Sequence, residues 1–313
     1  MAKQKFLPEG TLLYSAANQA AIASAAALCE AMHAQRVLEA RAVLCDEHHN
    51  LVVELGGGLS GFIPRNETAV GIAEGTTRDI AVLSRVGKAV SFCVTDIQDE
   101  KIILSRRLAQ EDAISYYMTQ AAPGDVIRAK VTHIEAFGAF ADVGCGIVSL
   151  LGIEHISISR IRHPAERFCC GQDIYAVISA IDQMRRRLSL THKELLGTWE
   201  ENVRGFASGQ TVRGIIRGIE DYGVFVELRP NLSGLAEKRD GIREGQEASV
   251  FIKSILPERM KIKLIIIDHY DRPVAYPRAM DYPALPEHIS RWRYTPEVCA
   301  LKKIETIFDP DAQ

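Results

Sequence analysis

The rhythm of hydrophobic and polar positions changes near residue 36. Before it, Ser15 precedes an alanine-rich stretch in which Ile22, Leu28 and Met32 recur at helical intervals. Alanine is the strongest helix former, and a serine can satisfy the free amides of a first turn. The pattern therefore predicts one helix over 16–35, with its apolar stripe packed on the domain that follows. After Arg36 come short β-like runs broken by glycine.

The β-like texture repeats. Gly124-Asp125-Val126-Ile127 leads to Phe137-Gly138-Ala139-Phe140, and Gly209-Gln210-Thr211-Val212 leads to Tyr222-Gly223-Val224-Phe225. Both pairs lie 85 residues apart (209 − 124 and 222 − 137), which marks an internal repeat. A fainter copy comes earlier: residues 37–41 match 126–130, and 52–56 match 140–144. The middle copy predicts strands at 126–132, 138–143, 147–151, 173–181 and 186–191, with a loop and a helical turn within 158–168. Five short strands with glycine corners suit a small closed barrel, which leaves no edge exposed. The expected fold is mainly β: three tandem five-stranded barrels, preceded by a helix and followed by an aromatic and proline-rich tail. Their expected extents are 36–110, 122–195 and 207–268, with a leader over 1–35 and a tail over 269–313.

Composition agrees with a chain of this kind. The 313 residues carry 47% hydrophobic residues and a net charge of −3, which suits two or three folded domains and excludes wholesale disorder. There is no apolar run long enough for a membrane span, and the first residues lack a secretory pattern. Seven scattered cysteines without a C-x-x-C spacing fit reduced thiols and a cytoplasmic protein. Near-neutral charge argues against a strongly basic nucleic-acid binder. The balance is local, however: 36–109 has 9 Lys and Arg against 10 Asp and Glu, 123–195 has 9 against 8, and 207–267 has 10 against 8.

The middle copy resembles a known family. Gly124, Val131, Phe137-Gly138-Ala139-Phe140, Asp142-Val143-Gly144, Gly171-Gln172 and Arg187-Leu188-Ser189-Leu190 together resemble the S-one domain, named after a bacterial small-subunit ribosomal protein. The resemblance implies an OB fold that binds single-stranded RNA. It is strong for the middle copy, good for the third and weak for the first, and the whole chain resembles three-copy S-one-type proteins of firmicute bacteria.

Phe137 and Phe140 are three apart, so sharing a strand face requires a bend, which Gly138 supplies. Read from the residues alone, they are either two core phenylalanines or a platform on which unpaired bases stack. The resemblance selects the platform, and Tyr222 and Phe225 take those places in the third copy. His49 and Val52 stand there in the first copy, so its platform is expected to be largely absent. Arg185 and Arg187 before Leu188 are candidate phosphate-binding residues, and Lys261 and Lys263 before Leu264 repeat them; Lys101 alone remains in the first copy. Arg128, Lys130, Arg213 and Arg217 add first-strand charge. His155 resembles a family histidine displaced by three residues, and in no copy does a histidine stand at the family's own position.

The sequence holds no phosphate-binding glycine loop, no dinucleotide fingerprint and no metal-ligand pair of clusters; His48-His49 beside Cys45 and Asp46 read as a polar turn. Gly75 to Asp79 reads as a polar loop leading into a short capped helix. The expected protein is a non-enzyme without cofactor or metal, holding single-stranded RNA (mRNA) in translation and on the small ribosomal subunit. A protein-interaction adaptor and an accessory factor of RNA decay or transcription are the alternatives. Tyr270, Tyr276, Tyr282, Trp292, Tyr294 and Phe308 make the tail too aromatic for a disordered linker, and it is expected to wrap the third barrel.

Overall fold

Alternate residues of each β-like run turn inward, and each set of five runs closes on itself. The computed structural model describes residues 4–98, 101–271 and 280–309. Helices α1 (Ala16–Ile22) and α2 (Ala25–His33) lead into strands β1 (Leu38–Cys45), β2 (Leu51–Glu54) and β3 (Ser60–Ile63). A short α3 (Ile80–Leu83) precedes β4 (Ala89–Gln98) and β5 (Lys101–Ser105), and α4 (Arg106–Gln120) then crosses to the second barrel. That barrel comprises β6 (Val126–Glu135), β7 (Gly138–Asp142), β8 (Val148–Gly152), β9 (Asp173–Asp182) and β10 (Arg187–Thr191). After α5 (Trp199–Val203) come β11 (Thr211–Glu220), β12 (Gly223–Arg229), β13 (Leu232–Ala236), β14 (Glu247–Leu256) and β15 (Lys261–Tyr270). In all three barrels the third strand pairs in parallel with the fifth, and the fourth closes against the first. Each barrel carries its own apolar core, such as Ala40, Val53, Ile63 and Phe92 in the first.

The single helix expected over 16–35 is broken at Ala23 and Ser24. Ser15 caps α1 by accepting from the Asn18 amide (3.3 Å), and Ser24 caps α2 by accepting from Ala27 (3.2 Å). The break sits against the β2–β3 turn, where a side chain on Gly57 would meet the Ala23 carbonyl at 2.5 Å. Helix α2 buries Leu28 and Ala31 in the first core. Asp79 does not cap α3, because its carboxylate is held by Arg65 (2.8 Å). Helix α4 was not expected. Ser105 caps it, and Ala109, Ala113 and Tyr117, four apart, form its buried face.

Both junctions contain buried charge. At the first, the Glu9 carboxylate accepts from Arg106 (2.6 and 3.1 Å) and from the Ser91 amide, while the Glu9 amide donates to Asp142 (2.7 Å). One residue thereby ties the first barrel, α4 and the second barrel together. At the second, Glu227 accepts from Arg167 (2.6 Å) and Arg217 (2.7 Å), and Arg217 also reaches Glu166. Ser159 and Ile158 of the second barrel's loop add amide donors to Pro230 and Asn231.

The tail spans the second and third barrels rather than wrapping the third alone. Trp292 and Tyr294 are buried in the third core, whereas Phe308 packs on Val177 and Leu195 of the second barrel's side. The Ile289 amide donates to the Gly124 carbonyl and the Glu287 carbonyl accepts from the Val126 amide, and Tyr282 bonds to His192 (3.1 Å). Burial holds the His192 imidazole down to about 4, so it is neutral at pH 7. Tyr276 lies outside the described residues.

Glu39 is fully buried and accepts from the Gly10 and Leu12 amides and the Ser91 hydroxyl. Burial, reinforced by the charge of Glu9, outweighs those donors and raises its carboxyl to about 7. A group raised in this way contributes stability below its ordinary value near 4.5 and loses it as pH climbs through 7. Gln at 39 can keep the two amide donors on its oxygen and offer its own amide to Ser91. Glu39→Gln should therefore gain on the wild type by on the order of 1–3 kcal/mol between pH 5 and pH 8. Thermal melts of both proteins at the two pH values measure this, and an equal gap at both contradicts it.

Candidate nucleic-acid interface

The first strand of every barrel carries one extra residue. The pairing skips between Ala42 and Leu44, between Val131 and His133, and between Ile216 and Gly218. Such a bulge turns two consecutive residues to the same side. His133 is exposed beside Thr132 for this reason, although simple alternation would send it inward.

The register then draws one outward row across each barrel. It runs Leu44, Val52, Phe62, Ile103 in the first; His133, Phe140, Leu150, Ser189 in the second; and Gly218, Phe225, Leu235, Lys263 in the third. In the second and third barrels the aromatic that precedes β7 or β12 folds over this row. Phe137 is 57% exposed and stands edge-on to half-buried Phe140, ring centroids 5.9 Å apart at 89°. Tyr222 is 71% exposed and meets Phe225 at 6.1 Å and 88°. The glycine between the members of each pair permits the fold-over: a side chain on Gly138 or Gly223 would meet a carbonyl of the next strand at 2.6 Å. His133 stacks on Phe140 (6.2 Å, 26°), so the second ledge has three rings. An exposed ring face of this kind accepts a flat heterocycle of any identity.

A basic residue recurs at one corner. Lys101, Arg187 and Lys261 each open the last strand, are exposed, and pair with the last residue of the fourth strand. This register corrects the expected equivalence: Lys261 matches Arg187, while Lys263 matches Ser189 and lies in the aromatic row itself. Arg185 is in the hairpin turn, where Asp182 accepts from its amide (2.9 Å). Arg186 next to it takes a left-handed φ of 52°.

The first-strand cations divide. Arg213 is 85% exposed, with Glu247 at 3.5 Å. Arg128 lies over Tyr175 (6.0 Å) and its backbone is bonded to Gln4. Lys130 donates to the Glu9 carbonyl (3.1 Å) within the first junction. Arg217 is only 6% exposed and is consumed by Glu227 and Glu166. Lys130 and Arg217 are thus junction residues rather than surface cations, because neighbouring segments cover the strand positions that looked exposed in sequence. His155 is in a turn after β8, 3.4 Å from Glu154, and its carbonyl accepts from the His192 amide.

In the first barrel the platform position holds Val52, but Phe62 stands one strand further along the same row with the Lys101 ammonium 4.8 Å from its ring centre. Phe62 and His133 are functional candidates that the amino-acid pattern alone does not reveal. A shifted aromatic on the third strand and a bulge on the first leave no signature in spacing. Among the described residues no group of three His, Cys, Asp or Glu is arranged to hold a metal ion, and no helix is long and apolar enough to cross a membrane.

Closed five-stranded barrels in tandem, each presenting an outward row beside a basic corner, define an OB-barrel repeat protein. Residues 120–193 match the family described as "S1 RNA binding domain". The chain is 31% identical over 234 residues to "Small ribosomal subunit protein bS1" of Staphylococcus aureus (strain N315), covering 69% of this chain and 58% of that one. It is 28% identical over 230 residues to the protein of the same name from Leuconostoc lactis, covering 68% and 52%. A multidomain protein with nucleic acid binding domains from Streptococcus pneumoniae aligns over 75% of this chain and 74% of its own, at 14% identity and a TM-score of 0.25. Residues 120–193 thus match an S-one domain, and the chain of tandem barrels is similar to these ribosomal relatives while spanning about three fifths or less of their length.

The two fates of first-strand arginines can be told apart by stability. Arg217→Ala leaves buried carboxylates short of a partner and should cost on the order of 3 kcal/mol, whereas exposed Arg213→Ala should change little. Both tryptophans, Trp199 and Trp292, sit in the third core, so their fluorescence during urea unfolding reports this barrel directly. Equal midpoints for the two variants would contradict the assignment.

Proposed function

We propose that this chain is a non-enzymatic, cytoplasmic RNA-binding protein that holds single-stranded RNA, mRNA in particular, during translation at the small ribosomal subunit. The observation that carries the reading is the edge-on aromatic pair, built at the same strand positions in the second and third barrels and placed on the same outward row. Bases stack on Phe137, Phe140 and His133 in one barrel and on Tyr222 and Phe225 in the other. Arg187, Arg185, Lys261, Lys263 and Arg213 hold phosphates. The ribosomal relatives support the cellular setting.

Each site is weakly charged, so affinity rests on stacking and on two sites engaging one strand. The junction between the second and third barrels is tied by buried ion pairs, which holds the two ledges at a set separation. The first barrel, with its displaced aromatic and the two helices packed on it, serves as the structural base.

Titration of the full chain into labelled single-stranded RNA tests this. Phe137→Ala with Phe140→Ala, and Tyr222→Ala with Phe225→Ala, should each weaken binding by about tenfold or more, at 1–3 kcal/mol per stacked base. Wild-type binding should weaken with added salt. Unchanged affinity in both double variants removes the stacking assignment, and no binding at low salt favours a protein-interaction adaptor.

A further inference from the structure

The third barrel's aromatic pair does not lie on an open face. It lines a groove of about 860 Å³ whose other walls come from outside the barrel. One wall is the second barrel's loop at residues 158–162, and the other is the returning tail at Lys302 and Ile304. The volume falls in the range of small-ligand sites.

The two walls bring charge. Arg160 and Lys302 are exposed, both line the groove, and neither has an ion-pair partner among the described residues. Arg162 on the same loop is taken up by Glu244. Two acidic residues also line the groove, Glu220 and the Glu244 that pairs with Arg162. Cations that line the same groove as exposed rings match a nucleotide chain, whose bases need flat apolar faces and whose phosphates need positive charge.

We propose that the third barrel's RNA site is composite: bases stack on Tyr222 and Phe225 while Arg160 of the second barrel and Lys302 of the tail hold the flanking phosphates. The inference rests on the stacking role given to Tyr222 and Phe225 above. It adds that the site is completed only when the second barrel and the tail are docked on the third. The loop is fixed for this purpose, since Ser159 donates its amide to Pro230 (3.0 Å) and its hydroxyl meets that of Ser233 (2.8 Å). The tail is fixed by the Tyr294 hydroxyl on the Asn231 carbonyl and by β16 (Arg291–Arg293) pairing with β17 (Glu305–Ile307).

The test uses the full chain carrying His133→Ala, Phe137→Ala and Phe140→Ala, so that all three rings of the second barrel's ledge are removed and the third barrel dominates the signal. Binding of a labelled ten-nucleotide oligouridylate is measured across a salt series. Adding Arg160→Ala and Lys302→Ala should weaken binding by about tenfold and flatten the salt slope by about 1.4, at roughly 0.7 per phosphate no longer neutralised on a single strand. Both residues are exposed, and an unchanged melting curve establishes that the fold is kept. If that variant binds as its parent does while Tyr222→Ala with Phe225→Ala abolishes binding, the walls are idle and the composite site is wrong, with stacking intact. If the aromatic variant also binds as its parent does, the stacking reading itself fails and the composite site with it.

Discussion

Barrel closure is the constraint on which the rest of this molecule depends. Five short strands have too little buried surface to tolerate an open edge, so every strand must pair on both sides. Closure fixes the register, and the register decides which residues face outward in the same row. That is why a bulge after Ala42, Val131 or Ile216 has the same consequence in three barrels of different sequence. It also explains why Lys101, Arg187 and Lys261 reach the same corner although the surrounding residues differ.

The barrels are joined through groups that are costly to bury. Glu9 with Arg106, and Glu227 with Arg167 and Arg217, are charges whose partners come from different segments of the chain. Removing one partner strands the other without water. Such a junction is selective in geometry even where its net contribution to stability is small. It turns three independent barrels into a frame with set spacings, and it holds the second barrel's loop against the third barrel's aromatic pair. The tail reinforces this frame by placing Trp292 and Tyr294 in one core and Phe308 on the neighbouring barrel.

Much of this was legible in the sequence, and the exceptions have physical reasons. The strands of the middle copy follow from alternation and glycine corners, and the aromatic pair follows from a spacing of three around Gly138. Helix α4 escapes a reading of periodicity because Arg106 and Gln110 interrupt its buried face, although Ser105 and the four-residue spacing of Ala109, Ala113 and Tyr117 signal it. Arg217 looked like surface charge because sequence does not reveal which strand residues a neighbouring barrel will cover. His133 required the bulge, and Phe62 required the cross-strand register. Distance from the following leucine equates Lys261 and Lys263 with Arg185 and Arg187, whereas pairing with the third strand places them one alternation later.

Single-stranded RNA lying along the outward rows of the second and third barrels would leave its mark on particular residues. Photo-crosslinking of 4-thiouridine-containing RNA to the intact chain, with mass spectrometric mapping of the modified peptides, tests this most directly. Crosslinks should concentrate at residues 133–140 and 222–225, with few on α1, α2 or the first barrel. Crosslinks concentrated on the helices or the first barrel, with the two ledges unmodified, would contradict it.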